Sequence, residues 1–156
     1  MAKARDIVRM SAAQISAFLA SAQSLQVATL GPEGEPHLTT VWFLARADGT
    51  ILFETYGKSQ KVLNLQRDPR IAVLAEDGTT YATLRGVSIS GRAEVVEDFS
   101  RRLELMRLLI DHHFPGQQPE VLDAQAAKMA EKRVVVVVHP DKVMSWDHGK
   151  LGGKGP

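Results

Sequence analysis

The chain has 156 residues, 44% apolar and 24% charged, which is enough for one domain with a buried core and too little for two ordinary ones. Its 19 Lys and Arg against 18 Asp and Glu leave a net charge of +1, so nothing general points to nucleic acid or an anionic membrane as partner. Cysteine is absent, which excludes disulfides and thiol catalysis and fits a reducing, cytoplasmic setting.

Lys3 and Arg5 are not followed by an uninterrupted apolar stretch, which argues against a secretory signal. Ser11-Ala12-Ala13-Gln14 is a capping-box pattern, and Ile15, Phe18 and Leu19 follow at helical spacing, predicting an amphipathic helix over 11–22. Leu25 to Leu30 then alternates, Gly31 to Pro36 is a turn, and His37 to Ala45 is a second strand rich in β-branched and aromatic residues, making a hairpin. Trp42 and Phe43 face opposite ways on such a strand, one to the interior and the other to an interface or pocket. Asp48-Gly49 marks the next reversal, and Thr50 to Thr55 returns as a third strand.

That third strand runs into Gly57-Lys58-Ser59-Gln60-Lys61, where a helix is about to begin. Ser59 suits an N-cap, Val62 and Leu65 turn inward, and Asp68-Pro69 ends the segment. Lys58 and Lys61, three apart, share a face once helical and sit near the positive end of the helix dipole. A phosphate would supply the missing negative charge there, whereas the ordinary alternative is a solvated helix start. The hydroxyls of Thr55 and Tyr56 suit a phosphate or a polar ring edge.

After Pro69, Arg70 to Ala75 resumes a strand, and Asp77-Gly78 turns it into a long segment from Tyr81 to Val96. Gly86 and Gly91 inside that segment signal a bend or a close approach of backbone or ligand. Helical patterns follow over 99–113 and 119–131. Arg133 to His139 is a core strand, continued by Pro140 to Trp146 towards a glycine-rich tail. The longest apolar run, five valines from Val134 to Val138, falls far short of the ~20 apolar residues of a membrane helix and predicts a buried strand with no membrane span. About six antiparallel strands with one helix inserted midway and helices near the ends predict a single α+β domain on a small barrel. Its core covers about 11–146, with a tail over 147–156.

The remaining constellations have plain readings beside functional ones. Asp111-His112-His113 would need further ligands to hold a metal, because adjacent helical residues diverge by about 100°; solvated helix-end histidines are the simpler reading, and no metal site is expected. Asp147-His148 is an oriented general acid or a polar tail. Arg101, Arg102 and Arg107 alternate with Glu97, Asp98 and Glu104 as a mixed-charge helix face, so no nucleic-acid partner is expected. Gly149 to Gly153 with Lys150 and Lys154 lacks the spacing of a phosphate loop. None of the five histidines has a partner visible in sequence, and no catalytic proton donor is assigned.

The order helix, strand, turn, strand with Leu38-Thr39-Thr40-Val41-Trp42-Phe43, strand ending in Phe53-Glu54-Thr55, then Ser59-Gln60-Lys61 and Asn64-Leu65 before Asp68-Pro69-Arg70, resembles the FMN-binding split barrels related to pyridoxamine 5'-phosphate oxidase. That family includes flavin/deazaflavin oxidoreductases, and the tail Ser145-Trp146-Asp147-His148-Gly149-Lys150-Leu151-Gly152-Gly153 is similar to that of the branch using coenzyme F420. The resemblance implies a six-stranded antiparallel split β-barrel and a homodimer with cofactor sites at the subunit interface. It places Leu38, Thr39, Thr40, Val41 and Trp42 beside the cofactor ring and gives the phosphate to Ser59 and Lys61, with Lys58 an additional candidate in the loop of Thr55, Tyr56 and Gly57. Trp146 is a candidate to cover the ring or to pack the dimer. The arginine-rich motif of pyridoxamine phosphate oxidases is missing: Thr39 stands in the strand region and Gln60 precedes Lys61. The resemblance therefore implies an F420-dependent reductase acting on a conjugated small molecule such as a quinone, enone or tetrapyrrole, with FMN as the second cofactor choice. The alternatives are a non-catalytic carrier of a flavin, deazaflavin or haem-derived ligand, and an FMN-dependent oxidase of pyridoxamine 5'-phosphate type.

Overall fold

The structure, a computed structural model, describes residues 4–152. Helix α1 (Ala4–Ile7) leads into α2 (Ala12–Ser21), and the capping box is formed as expected, with Ser11 Oγ accepting from the Gln14 amide and Gln14 Oε1 from the Ser11 amide. Seven strands follow: β1 (Ser24–Leu30), β2 (Pro36–Trp42), β3 (Leu44–Ala45), β4 (Ile51–Tyr56), β5 (Arg70–Asp77), β6 (Arg85–Val95) and β7 (Arg133–Asp147). Between them lie α3 (Gln60–Arg67), α4 (Phe99–His113) and α5 (Pro119–Ala130). All pairings are antiparallel, in the order β2-β1-β5-β6-β7-β4-β3.

The seventh strand arises where a single strand over His37 to Ala45 was expected. β2 pairs with β1, whereas β3 pairs with β4, so the ladder changes partner at Phe43. The two outermost strands of the sheet are thus joined through one residue, and the sheet must curl back on itself. The result is a split β-barrel. Phe43, 1% exposed, fills the interior at that corner, while Trp42, 48% exposed, points the other way, as the alternation requires.

The interior holds Leu25, Val27, Phe43, Ile51, Phe53, Val136 and Val138. A second core lies outside the β4–β7 wall, where Leu52, Val135 and Val137 meet Leu105, Met106 and Leu109 of α4 and Leu122 and Ala126 of α5. The valine run is therefore buried on both faces, which explains why it reads as continuous rather than alternating.

Residues 81–83 differ from the extended segment expected there. They form a 3-10 turn in which the side chains of Thr80 and Thr83 take up local backbone groups, so β6 begins at Arg85. Both glycines of β6 mark close approaches: a Cβ on Gly86 would meet the Trp146 ring at 2.2 Å, and one on Gly91, at the bulge, would meet the His139 carbonyl oxygen at 2.1 Å.

Candidate functional site

β4 ends at Tyr56, and a turn held by Gly57 N–H to Lys132 O (2.9 Å) and Ser59 N–H to Tyr56 O (3.0 Å) delivers the chain to α3. Ser59 occupies the N-cap position in an extended conformation, but its hydroxyl caps no amide. It faces Thr55 Oγ1 at 3.5 Å instead. Lys61 Nζ also turns back to this hydroxyl and donates to it at 3.1 Å. Burial lowers the Lys61 pKa, an effect that the negative charge of Glu54 opposes. The amides of Gln60 and Lys61, in the first turn, have no hydrogen-bond partner among the described residues. An ammonium, two hydroxyls and free amides thus gather at one helix start.

Lys58 does not share that face. With Ser59 extended, the helix begins only at Gln60, and Lys58 stays exposed in the turn. Tyr56 is also exposed, and its ring carries the Arg133 guanidinium at 4.2 Å. Gly57 packs near Val134 and the Lys132 carbonyl.

Beside Lys61 opens a cleft of about 500 Å³. Thr40, Val41 and Trp42 at the end of β2 form one wall, and Glu54, Thr55 and Lys61 form the floor. Leu109, Ile110, His113 and Phe114 line the α4 side, where the His113 and Phe114 rings pack 5.3 and 6.3 Å from that of Trp42, and Gln125, Met129 and Arg133 complete the lining. Of the sequence candidates, the cleft brings together Thr40, Val41, Trp42, Thr55 and Lys61, with Ser59 against Thr55. Leu38 is 68% exposed on the outer side of β2. Thr39 faces the same side as Val41, and its Oγ1 is buried without a partner. Trp146 lies across Gly86 at the far end of β7 and does not line this cleft.

The α4–α5 wall and the Glu54–Arg133 pair escaped the sequence reading. Arg133 Nη1 donates to both carboxylate oxygens of Glu54, at 2.7 and 2.6 Å, and this bond raises the arginine's pKa. The only sequence signal for them is register: Arg133 lies opposite Tyr56, which places it diagonally from Glu54. His113, read as a solvated helix-end histidine, is partly buried, its ring 5.3 Å from that of Trp42 and 4.9 Å from that of His112. Burial first, then His112, lowers its pKa.

Other candidates have structural partners. Asp147 Oδ1 accepts from the Gly149 amide and His148 Nδ1 lies 2.9 Å from the Tyr81 carbonyl oxygen, so the aspartate does not orient the imidazole. Lys150 Nζ pins the tail by donating to Arg9 O and Gln14 Oε1; Gly153 and Lys154 lie outside the described residues. Arg101 pairs with Glu94, Arg107 with Asp123, and Arg102 donates to the carbonyls of Val96 and Glu97. Among the described residues no three His, Cys, Asp or Glu side chains come together as metal ligands, and no helix is long and apolar enough to cross a membrane.

The family model for pyridoxamine 5'-phosphate oxidase matches residues 11–147. The chain belongs to the pyridoxamine 5'-phosphate oxidase family. Members of this family of split barrels generally bind FMN. A conserved hypothetical protein from Mycobacterium tuberculosis, known as a crystal structure, is 41% identical over 99% of this chain and 96% of its own, with a TM-score of 0.88. Two further family-like folds are more distant. The flavocytochrome Anf3 from Azotobacter vinelandii is 18% identical over 100% of this chain and 79% of its own, with a TM-score of 0.74. An F420 reductase is 24% identical over 82% and 94%, with a TM-score of 0.60. No curated protein matches the chain.

Proposed function

We propose that the cleft binds coenzyme F420, with FMN as the second choice, and that the protein is a cytoplasmic, homodimeric reductase of conjugated small molecules such as quinones, enones or tetrapyrroles. The observation that carries this reading is the junction of two chemistries. Lys61, Thr55 and Ser59 with two free amides form a donor set that fits a phosphate, and they adjoin a cleft whose lining includes the apolar side chains of Val41, Trp42, Leu109 and Ile110, suited to an apolar ring system. The unpartnered Nε2 of His113, a residue of the cleft lining, is the kind of orphaned polar atom that a ring edge or substrate would satisfy.

Bound in its reduced form, the deazaflavin supplies a hydride. The chain's own residues then have three tasks: Lys61 and Ser59 anchor the phosphate, Trp42 and the α4 wall orient the ring and exclude water, and the Glu54–Arg133 pair stiffens the floor. The deazaflavin is preferred to FMN because Gln60 precedes Lys61 where the oxidases have arginine, and because the tail is similar to that of the F420 branch. Exposed Trp42 and Phe114 at the cleft support a second copy covering the site.

Reduced F420 mixed with the protein and menadione, cyclohexenone or a nitroarene is expected to reoxidise in a protein-dependent way, followed by recovery of F420 fluorescence. Tight binding with no turnover of any acceptor would instead assign the protein as a carrier.

A further inference from the structure

We propose that His113 is the catalytic hydrogen-bond donor to the acceptor: from the α4 side of the cleft its imidazole holds the oxygen that becomes anionic during reduction. The inference rests on the reductase reading above and adds the residue that the reaction lacks. A hydride carrier and a phosphate anchor leave one need unmet, because hydride addition to a conjugated carbonyl pushes an electron pair onto oxygen, and that charge needs a donor in a site shielded from water.

His113 lies where such a donor is needed. It lines the cleft next to Ile110 and Phe114, and its ring packs 5.3 Å from that of Trp42, the aromatic side chain that β2 contributes to the cleft. Its Nε2 is buried with no hydrogen-bond partner among the described residues, an arrangement that an incoming oxygen would complete. Of the cleft's charged groups, Arg133 is committed to Glu54 and Lys61 to Thr55 on the phosphate side, while Thr40 and Gln125 are its other polar side chains.

The charge state follows from its surroundings. The C-terminal end of α4 favours a positive imidazole. Against this act burial and the adjacent His112, both of which lower the pKa, with Glu54 pulling the other way. Asp111 on the same helix, Lys61 on α3 and Arg133 on β7 complete the charged groups around it. Burial is the largest influence, so at neutral pH His113 carries a single ring proton and serves as a donor, without becoming an imidazolate. A neutral histidine used as an electrophile in this way is a known catalytic solution. In the balanced step, hydride adds to the acceptor, which gains the two electrons that the reduced deazaflavin loses. The electron pair displaced to oxygen is held by the Nε2–H of His113, and a proton from solvent completes the product.

Side-chain nitrogen NMR of the histidines at pH 7, assigned with the H113Q variant, tests this without turnover. The His113 ring is expected to be neutral, and its nitrogen shifts are expected to move when menadione is added to the F420-loaded protein and to the cofactor-free protein. In turnover of reduced F420 with menadione at saturating cofactor, His113→Phe is expected to lower kcat roughly 100-fold and His113→Gln, a neutral donor, to restore most of it. A charged His113 ring at pH 7, no response to menadione, or equal kcat in the His113→Phe variant would overturn the proposal. Failure of F420 to bind would instead overturn the cofactor reading, and the response of the cofactor-free protein to menadione would still decide the role of His113.

Discussion

Replacing Lys61 by alanine is expected to raise the dissociation constant for coenzyme F420 by about 10- to 100-fold, the loss of one charge-assisted hydrogen bond of about 1.5–3 kcal/mol. Lys61 is half-turned into the protein, donates to Thr55 at 3.1 Å, and has its pKa lowered by burial, so the ammonium is held partly desolvated where an anion would best repay that cost. The same partial burial means that the fold depends little on the charge. Urea unfolding of the K61A variant should stay within about 1 kcal/mol of the parent, since only the bond to Thr55 is lost. Lys58→Ala is the matched control: it removes the same charge from an exposed turn, and its effect on affinity should be several-fold smaller. Equal losses from both variants would mean that diffuse positive charge, and not the Lys61 cradle, attracts the ligand.

The largest effect on stability is expected at Phe43. Truncation to alanine leaves a cavity at the corner where the chain passes from β2 to β3, and should cost about 3–5 kcal/mol. Against a total stability of about 5–15 kcal/mol for a domain, that is a large fraction, visible as a marked fall in the urea midpoint. Its neighbour Trp42 is half exposed on the cleft side, so Trp42→Ala should leave the midpoint nearly unchanged while weakening ligand binding. A Phe43→Ala midpoint close to that of the parent would contradict the packed barrel interior described above.

These two neighbours also show how far the sequence could be read. Alternation alone told that Trp42 and Phe43 part company, because side-chain direction in a strand is a local property. It could not tell that the strand breaks between them and β3, because the break is set by a change of pairing partner from β1 to β4, a contact between distant segments. The same division runs through the site. Ser59 at the cap position and Lys61 near the dipole were legible from composition and spacing, and the capping box of α2 formed bond for bond. The extended conformation of Ser59, which leaves Lys58 outside the helix, was not legible. His113 looked like a solvated helix end because nothing in its neighbourhood along the chain reveals that α4 packs over β4 and carries it to Trp42. Arg133 and Glu54, 79 positions apart, meet only through the β4–β7 register.

The central claim is that the cleft between β2, α3 and α4 is a phosphate-anchored deazaflavin site. Titration of the purified protein with coenzyme F420 and, separately, with FMN, followed by ligand fluorescence in matched buffers, tests it most directly. Saturable binding of F420 that is tighter than that of FMN and is lost in the K61A variant is the expected result. Binding of neither ligand, or binding that the Lys61→Ala change leaves untouched, would contradict it.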